Sequence, residues 1–141
     1  MAGYSGTPLD RKLGIKPGHR VLIEGAPAGF VGGTLALPDD VTIATRATAP
    51  IDVALVFVTS RAQLEKRWAP VTKALVADGG FWVAWPKKAS KVPTDMTEDV
   101  VREIALPRQL VDNKVCAVDD VWSGLRLVVR VEHRATWTGG R

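Results

Sequence analysis

Cysteine, histidine and tyrosine are all scarce in this chain of 141 residues, and their scarcity excludes several classes of site. The one cysteine, Cys116, excludes a disulfide framework and a zinc site built from several cysteines. The two histidines, His19 and His133, have no second ligand at metal-binding spacing, so no metal site is predicted. Because Cys116 lies inside an apolar run, we predict a buried and unreactive thiol.

Long apolar runs are also missing from the sequence. None approaches the roughly 20 residues that a membrane helix requires, and residues 1–10 lack the apolar stretch of a signal peptide. These absences predict a soluble, cytoplasmic protein with no membrane partner. The net charge of +4 is spread along the chain among acidic residues, a distribution typical of solubility rather than of nucleic-acid binding.

Apolar runs alternate with turn signals and predict alternating strands and helices within a single domain, 1–141. The predicted strands lie at 20–24, 41–45, 51–58, 81–85, 111–118 and 125–131. Residues 1–19 are predicted to form an N-terminal helix and turn, and residues 20–131 the sheet core. The segment 132–141 is predicted to be a tail, which frays from Thr136 onward.

Capping residues, glycine and proline predict where the helices begin and end. Capping boxes at Ser60–Gln63 and Asp95–Glu98 each predict a helix start. Pro70 is expected to kink or restart the first of these helices, and Gly79–Gly80 to end it. A further helix is expected directly after the glycine-rich loop 25–33, which follows the first strand.

The last two predicted strands differ from the others in how they are connected. The turn between them, 119–124, is too short for a parallel crossover, so they must be antiparallel. The other strands alternate with helices, which predicts a doubly wound, mostly parallel sheet with helices on both faces. An antiparallel pair at the end of such a sheet resembles the class I S-adenosylmethionine-dependent methyltransferases, in a truncated form. The predicted fold class is therefore α/β, a Rossmann-like, methyltransferase-like sheet with a C-terminal antiparallel strand pair.

Ligands of doubly wound sheets bind beyond the carboxyl ends of the strands, so the glycine-rich loop 25–33 is one candidate site. Gly25 and Gly29 match the first and third glycines of the methyltransferase pattern, whereas Pro27 stands at the second. Glu24 lies one residue after the position of the family's acidic residue, which turns it to the other face of the strand. The resemblance implies S-adenosylmethionine as cofactor, held by Glu24, Gly25 and Gly29. A tight connection that binds nothing is an equally open interpretation.

Other enzyme classes lack their motifs in this sequence. No Gly-Lys-Ser or Gly-Lys-Thr follows the glycines, which excludes a P-loop, and the glycine spacing excludes the dinucleotide fingerprint. Tyr4, the sole tyrosine, precedes the first strand, which excludes the Tyr-Lys pair of short-chain dehydrogenases. The sequence contains neither a nucleophile elbow nor a recognisable pair of catalytic carboxylates. Catalytic residues therefore stay unassigned.

A second candidate site follows the predicted strand at 81–85. This segment combines a tryptophan, three lysines, a serine and a threonine just before a predicted helix start. Amines near a helix N-terminus at the functional edge of a sheet are suited to a phosphate or carboxylate. The residues assigned to this ligand site are Trp85, Lys87, Lys88, Ser90, Lys91 and Thr94. Solvated surface lysines are the alternative interpretation.

Two strings of residues are similar to an uncharacterised protein family of actinomycete bacteria. The first string lies within Tyr4–Gly18 and the second within Trp85–Glu103, and Val115–Asp119 with Trp122 and Ser123 extends the likeness. The resemblance implies a small methyltransferase-like domain and no particular activity or substrate. Because the second string contains the lysine-rich segment, that segment ranks above the glycine-rich loop as a binding site.

Three functions are compatible with these observations. The first is a non-catalytic module, without a cofactor, that binds a small anionic metabolite or a protein partner. The second is an S-adenosylmethionine-dependent methyltransferase with an atypical cofactor loop. The third is a nucleic-acid binder that uses the lysine-rich segment and loses affinity steeply with salt. The sequence keeps the pattern of the fold, but its cofactor motif is incomplete and it has no recognisable group of catalytic residues. These observations favour the first function, and hence a protein that is not an enzyme.

Overall fold

The computed structural model describes residues 7–140, whose strands form one six-stranded sheet. The strands are β1 (Arg20–Glu24), β2 (Thr42–Ala44), β3 (Ile51–Phe57), β4 (Leu75–Pro86), β5 (Leu110–Ala117) and β6 (Trp122–Val129). The α-helices in the described range are α1 (Leu9–Leu13), α2 (Arg61–Ala74) and α3 (Glu98–Ala105). All six predicted strands are therefore confirmed, although β4 and β6 begin earlier than the apolar runs indicate.

The sheet combines four parallel strands with an antiparallel pair. Its order is β2-β1-β3-β4-β6-β5. Strands β1 to β4 are parallel, and β6 lies antiparallel between β4 and β5. The chain places β2 on one side of β1 and β3 on the other, so the strand order reverses between the carboxyl ends of β1 and β3. The predicted mostly parallel sheet with a C-terminal antiparallel pair is confirmed.

Helices α2 and α3 cover one face of the sheet. The predicted capping box of α2 is confirmed, because the side chains of Ser60 and Gln63 each accept a hydrogen bond from the other residue's N–H. The helix then buries Leu64, Trp68 and Val71, spaced four and three residues apart, against the sheet. This apolar stripe is what fixes α2 over β3 and β4.

Helix α2 continues through Pro70 to Ala74, so the predicted restart at Pro70 is wrong. Proline removes one backbone donor from a helix, which weakens it locally. Trp68 and Val71 on either side of the proline are buried in the core, and this packing keeps the turn helical.

Helix α3 begins later than the predicted capping box at Asp95–Glu98. Its N-cap is Thr97, whose side chain accepts a hydrogen bond from the N–H of Val100 at 3.2 Å. Asp95 instead accepts a hydrogen bond from the N–H of Arg61 at 2.7 Å, in the first turn of α2. The Asp95 carboxylate therefore joins the starts of two helices rather than capping its own.

Gly79 and Gly80 do not end α2, as the glycine signal predicts, but lie within β4. Both are tightly enclosed. A Cβ atom on Gly79 would lie 2.8 Å from the carbonyl oxygen of Asp52, and one on Gly80 would lie 2.7 Å from Nε of Arg126. The two glycines therefore allow neighbouring groups to approach the strand closely, which is a common reason for glycine inside a sheet.

The other face of the sheet is covered by the short helix α1 and by the connection 25–41 between β1 and β2. The prediction of a helix after the glycine-rich loop is wrong, because this connection contains none. Its glycines and prolines disfavour helix. Phe30 and Leu35 bury their side chains against the sheet from this connection, so an irregular segment replaces a helical layer.

The C-terminal segment is docked as far as Gly140, so the predicted fraying does not hold for residues 136–140. The indole Nε1 of Trp137 donates to the carbonyl oxygen of Leu75 at 2.7 Å. The N–H of Gly140 donates to the carbonyl oxygen of Lys73 at 2.8 Å. These bonds tie the segment to the junction of α2 and β4. The predictions that concern residues 1–6 and 141 lie outside the described residues.

No helix within residues 7–140 has both the length and the apolar character that crossing a bilayer requires.

Candidate functional site

The two candidate sites lie at the same edge of the sheet, where the parallel strands end. The glycine-rich loop follows β1, and the lysine-rich segment 85–98 begins with the last two residues of β4. Between them stands the end of β3 at Phe57. Parallel strands bring their carboxyl ends to one edge, so residues far apart in sequence become neighbours there.

The lysine-rich segment surrounds a cavity of about 620 Å³, here called the edge cavity. This volume lies within the range of small-molecule sites. Five of the six residues assigned from the sequence line it, and Ser90 does not. The lining residues are Trp85, Pro86, Lys87, Lys88, Lys91, Val92, Pro93, Thr94, Met96, Thr97, Glu98 and Ser123.

The three lysines differ in how they are held. Nζ of Lys87 donates to the carbonyl oxygen of Asp119 at 2.8 Å, and its N–H donates to Val121 at 2.7 Å, which ties the segment to the β5–β6 turn. Lys88 lies in a single turn of 3-10 helix and is exposed. Lys91 is exposed and has a left-handed backbone with φ of 61°. Lys88 and Lys91 therefore bring solvent-exposed positive charge, and Lys87 has a partly structural role.

Ser90 and Thr94 shape the lysine-rich segment through side-chain hydrogen bonds to backbone groups. Oγ of Ser90 donates to the carbonyl oxygen of Lys87 at 2.6 Å. Oγ1 of Thr94 donates to the carbonyl oxygen of Thr59 at 2.7 Å and accepts from the N–H of Met96 at 3.0 Å. Ser90 thus supports the loop from outside the edge cavity, while Thr94 anchors it to the end of β3.

Sequence reasoning missed the wall of the edge cavity that comes from other elements. Ser123 lines the cavity because β6 pairs with β4 and places Ser123 opposite Trp85. Glu98, at the start of α3, also lines it, but its carboxylate accepts a hydrogen bond from Nη2 of Arg102 at 2.9 Å. That ion pair offsets the acidic charge on the wall. Only the pairing of β4 with β6 points to Ser123, and the short turn predicts the pairing of β5 with β6 alone.

Glu24, assigned to the alternative cofactor site, is paired within the protein. Its two carboxylate oxygens accept hydrogen bonds from Nε and Nη2 of Arg67 at 2.8 and 2.5 Å. The hydrogen bond to Glu24 is the largest of the effects that raise the pKa of the Arg67 guanidinium, so the guanidinium stays charged. The pair links the end of β1 to α2. A ribose hydroxyl that used Glu24 would have to compete with a two-point ion pair.

The glycine-rich loop closes on itself beside β3. Gly25 has a φ of 71°, and a Cβ atom there would lie 2.8 Å from the carbonyl oxygen of Phe57. The N–H groups of Gly33 and Leu35 both donate to the carbonyl oxygen of Phe30. Gly29 also has a positive φ, of 76°, but faces open space. Gly25 thus allows the loop backbone to approach the backbone of Phe57 closely. Several N–H groups of the loop already donate to carbonyl oxygens within the loop.

Aromatic side chains fill the edge of the sheet between the two candidate sites. The ring of Phe57 makes edge-to-face contacts with Phe30 and with Trp122, at centroid distances of 5.1 and 5.0 Å. Such contacts stabilise beyond the apolar area they bury. Phe30 is 3% exposed. The loop therefore places one of its own side chains against the end of β3, next to the reversal of strand order.

The described residues contain no group of three or more histidine, cysteine, aspartate or glutamate residues that could hold a metal ion. Nδ1 of His19 accepts a hydrogen bond from the N–H of Lys16 at 3.2 Å.

Trp82, on the strand that leads to the edge cavity, is fully buried, and its Nε1 donates to the carbonyl oxygen of Leu13 at 2.9 Å. Trp82 is therefore a residue of the hydrophobic core.

Cys116 is half-buried in β5, so the predicted buried thiol is only partly enclosed. Burial raises the pKa of its thiol, against the opposing effect of the nearby charges of Lys12 and Lys114. We therefore expect iodoacetamide to alkylate the folded protein more slowly than the urea-unfolded protein at neutral pH, because the thiolate is the reactive form. The folded-state rate should rise with pH as the thiolate forms. Equal rates in the folded and unfolded states at neutral pH would contradict this assignment.

No family model and no curated protein matches the sequence, so the likeness to an actinomycete family stays a prediction. Solved structures do match the fold. TrmN from Thermus thermophilus aligns with a TM-score of 0.54 at 12% identity, over 86% of this chain and 47% of TrmN. The fibrillarin pre-rRNA processing protein of Methanococcus jannaschii aligns at 0.55 and 13%, over 87% of this chain and 69% of that protein.

An S-adenosylmethionine-dependent methyltransferase from Aquifex aeolicus aligns with a TM-score of 0.54 at 16% identity, over 84% of this chain and 87% of that enzyme. Identities this low show the fold and not the function. The chain spans about half the length of TrmN. It has the Rossmann-like fold of the class I S-adenosylmethionine-dependent methyltransferases.

Proposed function

We propose that this protein is a non-catalytic, methyltransferase-like binding module whose edge cavity takes a small metabolite with an anionic group. The observation that carries the proposal is the convergence of Lys87, Lys88 and Lys91 on one cavity of about 620 Å³ at the carboxyl edge of the sheet. That edge is where doubly wound sheets bind their ligands.

The chemistry of the edge cavity suggests what kind of ligand fits it. Its walls include the apolar side chains of Trp85, Pro93 and Met96, of which Trp85 and Met96 are almost fully buried. Lys88 and Lys91 stand at its exposed side. An apolar or aromatic body would pack against the walls while a phosphate or carboxylate pairs with the ammonium groups. A nucleoside monophosphate has both parts.

The proposal that the module is non-catalytic is supported by what occupies the reversal of strand order. The Glu24 carboxylate is held by Arg67, and the ring of Phe30 lies against Phe57. Glu24 belongs to the alternative cofactor site, and Phe30 directly follows Gly29 of that site. Ligand binding at the edge cavity needs no change in either contact.

Thermal unfolding with adenosine monophosphate tests the proposal directly. A ligand at about 100 times its dissociation constant should stabilise the folded state by about 2.7 kcal/mol. Replacing both Lys88 and Lys91 by glutamine should weaken binding by about tenfold or more, because charge-assisted hydrogen bonds are lost. Lys87 is left intact because its Nζ bonds to Asp119 and its loss would disturb the β5–β6 turn.

The matched control replaces Lys66 and Lys73, two exposed lysines of α2 that lie outside the edge cavity, by glutamine. This variant has the same net charge as the Lys88 and Lys91 variant but should bind adenosine monophosphate like the unaltered protein. Equal weakening in both variants would mean that only overall charge matters. No stabilisation by adenosine monophosphate or inorganic phosphate in the unaltered protein would overturn the proposal.

A second candidate function is S-adenosylmethionine-dependent methyl transfer, which the fold and the positive φ of Gly25 at the reversal of strand order favour. It predicts stabilisation by S-adenosylmethionine and S-adenosylhomocysteine that survives the Lys88 and Lys91 substitutions. Such a result would replace the first proposal. Binding of an oligonucleotide that falls steeply with salt would instead support nucleic acid as the partner.

A further inference from the structure

A second cavity, here called the base cavity, lies at the opposite end of the sheet from the edge cavity. Its volume is about 300 Å³, at the small end of metabolite sites. It is lined by residues that precede β1, by the first residues of β3 and β4, and by Arg126 of β6. The charged side chains on its wall are Lys16, Asp52, Asp78 and Arg126.

Arg126 lies close over the sheet and has no acidic partner within residues 7–140. Its guanidinium lies over Gly80, where a Cβ atom would come within 2.7 Å of Nε and 3.0 Å of Nη2. Among residues 7–140, its side chain makes no hydrogen bond or ion pair. Burial lowers the pKa of Arg126, and the nearby charge of Arg134 lowers it further. A partly buried cation without a counter-charge is costly, and a bound anion would supply one.

Asp52 provides a fixed opposite charge in the base cavity. Its Oδ2 accepts a hydrogen bond from the N–H of Arg20 at 2.8 Å, which sets the orientation of the carboxylate. Asp52 and Arg126 are both partly buried, yet no ion pair joins them within the described part of the chain. At the exposed rim of the cavity, Lys16 adds a second positive charge and Asp78 a second negative charge. Opposite charges that share a small cavity without touching suit a ligand that lies between them.

We propose that the base cavity binds a small zwitterion of the α-amino acid class. The ligand carboxylate pairs with the Arg126 guanidinium, and the ligand ammonium group pairs with the Asp52 carboxylate. A simple anion such as phosphate is disfavoured because it would also face Asp52 and Asp78. Gly80 has a reason in this site, since the absence of a side chain there leaves room for the guanidinium above the sheet.

The experiment measures thermal unfolding of the protein with each common α-amino acid in turn, with acetate, ethylamine and inorganic phosphate as single-charge probes. At least one amino acid should raise Tm, and the single-charge probes should not. Arg126→Met should weaken that amino acid's binding on the order of a hundredfold, because it leaves the ligand carboxylate unpaired. Arg130→Met is the control, since Arg130 follows β6 outside the cavity and pairs with Glu132 at 3.9 Å.

Two further readouts separate a ligand site from a structural role. Without ligand, Arg126→Met should keep or raise the Tm, because a partly buried unpaired charge is removed. Asp52→Asn keeps an oxygen for the N–H of Arg20 but should reduce the discrimination between the amino acid and acetate. The proposal is overturned if no amino acid raises Tm or if acetate acts as well as the amino acid. A lower Tm of ligand-free Arg126→Met, with unchanged amino acid binding, would also overturn it.

Discussion

Replacement of Gly25 by alanine is expected to lower the free energy of unfolding by about 3 kcal/mol. Two effects add. Alanine is strained at the φ of 71° that this residue adopts, and its Cβ would lie 2.8 Å from the carbonyl oxygen of Phe57. The contact is with backbone, so either the end of β1 or the end of β3 must shift. Urea unfolding of the variant and of the unaltered protein measures the loss.

Gly29→Ala is the control that separates strain from contact. Gly29 has a similar φ of 76°, but no atom lies within 4 Å of the position that its Cβ would take. Its substitution should therefore cost only the backbone strain, about 1 kcal/mol. If the two variants lost the same stability, the close approach of Gly25 to Phe57 would contribute nothing. The glycine would then be required for its φ alone.

The strand pattern of this protein is largely predictable from its sequence. Nearly continuous apolar runs such as Ile51–Phe57 identify parallel strands covered on both faces, and the short turn before Trp122 indicates that the last two strands are antiparallel. The layer between β1 and β2 is not predictable in the same way. Doubly wound sheets usually have a helix there, but glycines and prolines prevent one, and Phe30 and Leu35 cover the sheet from an irregular connection.

Glycine signals are ambiguous because the same residue ends helices and allows close approach. Gly79–Gly80 follows a helix in sequence, which suggests a stop, yet the helix ends earlier and the glycines lie in β4. The atoms that require them belong to Asp52 and Arg126, which are distant in sequence. A local sequence pattern therefore does not predict that these residues will lie next to the two glycines.

The candidate site is predictable where its residues are contiguous and not where they come from several elements. Trp85 to Thr94 can be read from one segment, and most of the assigned residues line one cavity. Glu24 has its partner Arg67 on another element, 43 positions away, so the sequence gives no warning that its carboxylate is occupied. Asp95 similarly bonds to α2 rather than to its own helix. Tertiary partners decide which polar groups remain available to a ligand.

The glycine-rich loop depends on one buried aromatic side chain, and Phe30→Ala is expected to lower the free energy of unfolding by about 3–5 kcal/mol. Phe30 is 3% exposed and makes an edge-to-face contact with Phe57. Phe30→Leu retains most of the apolar volume and should lose only about 1 kcal/mol, part of it from the aromatic pair. Urea unfolding of both variants measures the difference.

Hydrogen exchange shows whether this loss is local to the loop. The N–H of Leu35 donates to Phe30 at 2.9 Å, and the N–H of Gly32 donates to Leu35 at 2.8 Å. In Phe30→Ala these two amides should exchange much faster, while amides in the centre of β3 follow only the global loss. The loop would then be held by its aromatic anchor rather than by its glycines. Unchanged protection of both amides would show instead that the loop's own hydrogen bonds suffice, and that the contact with Phe57 is a consequence of the loop's shape.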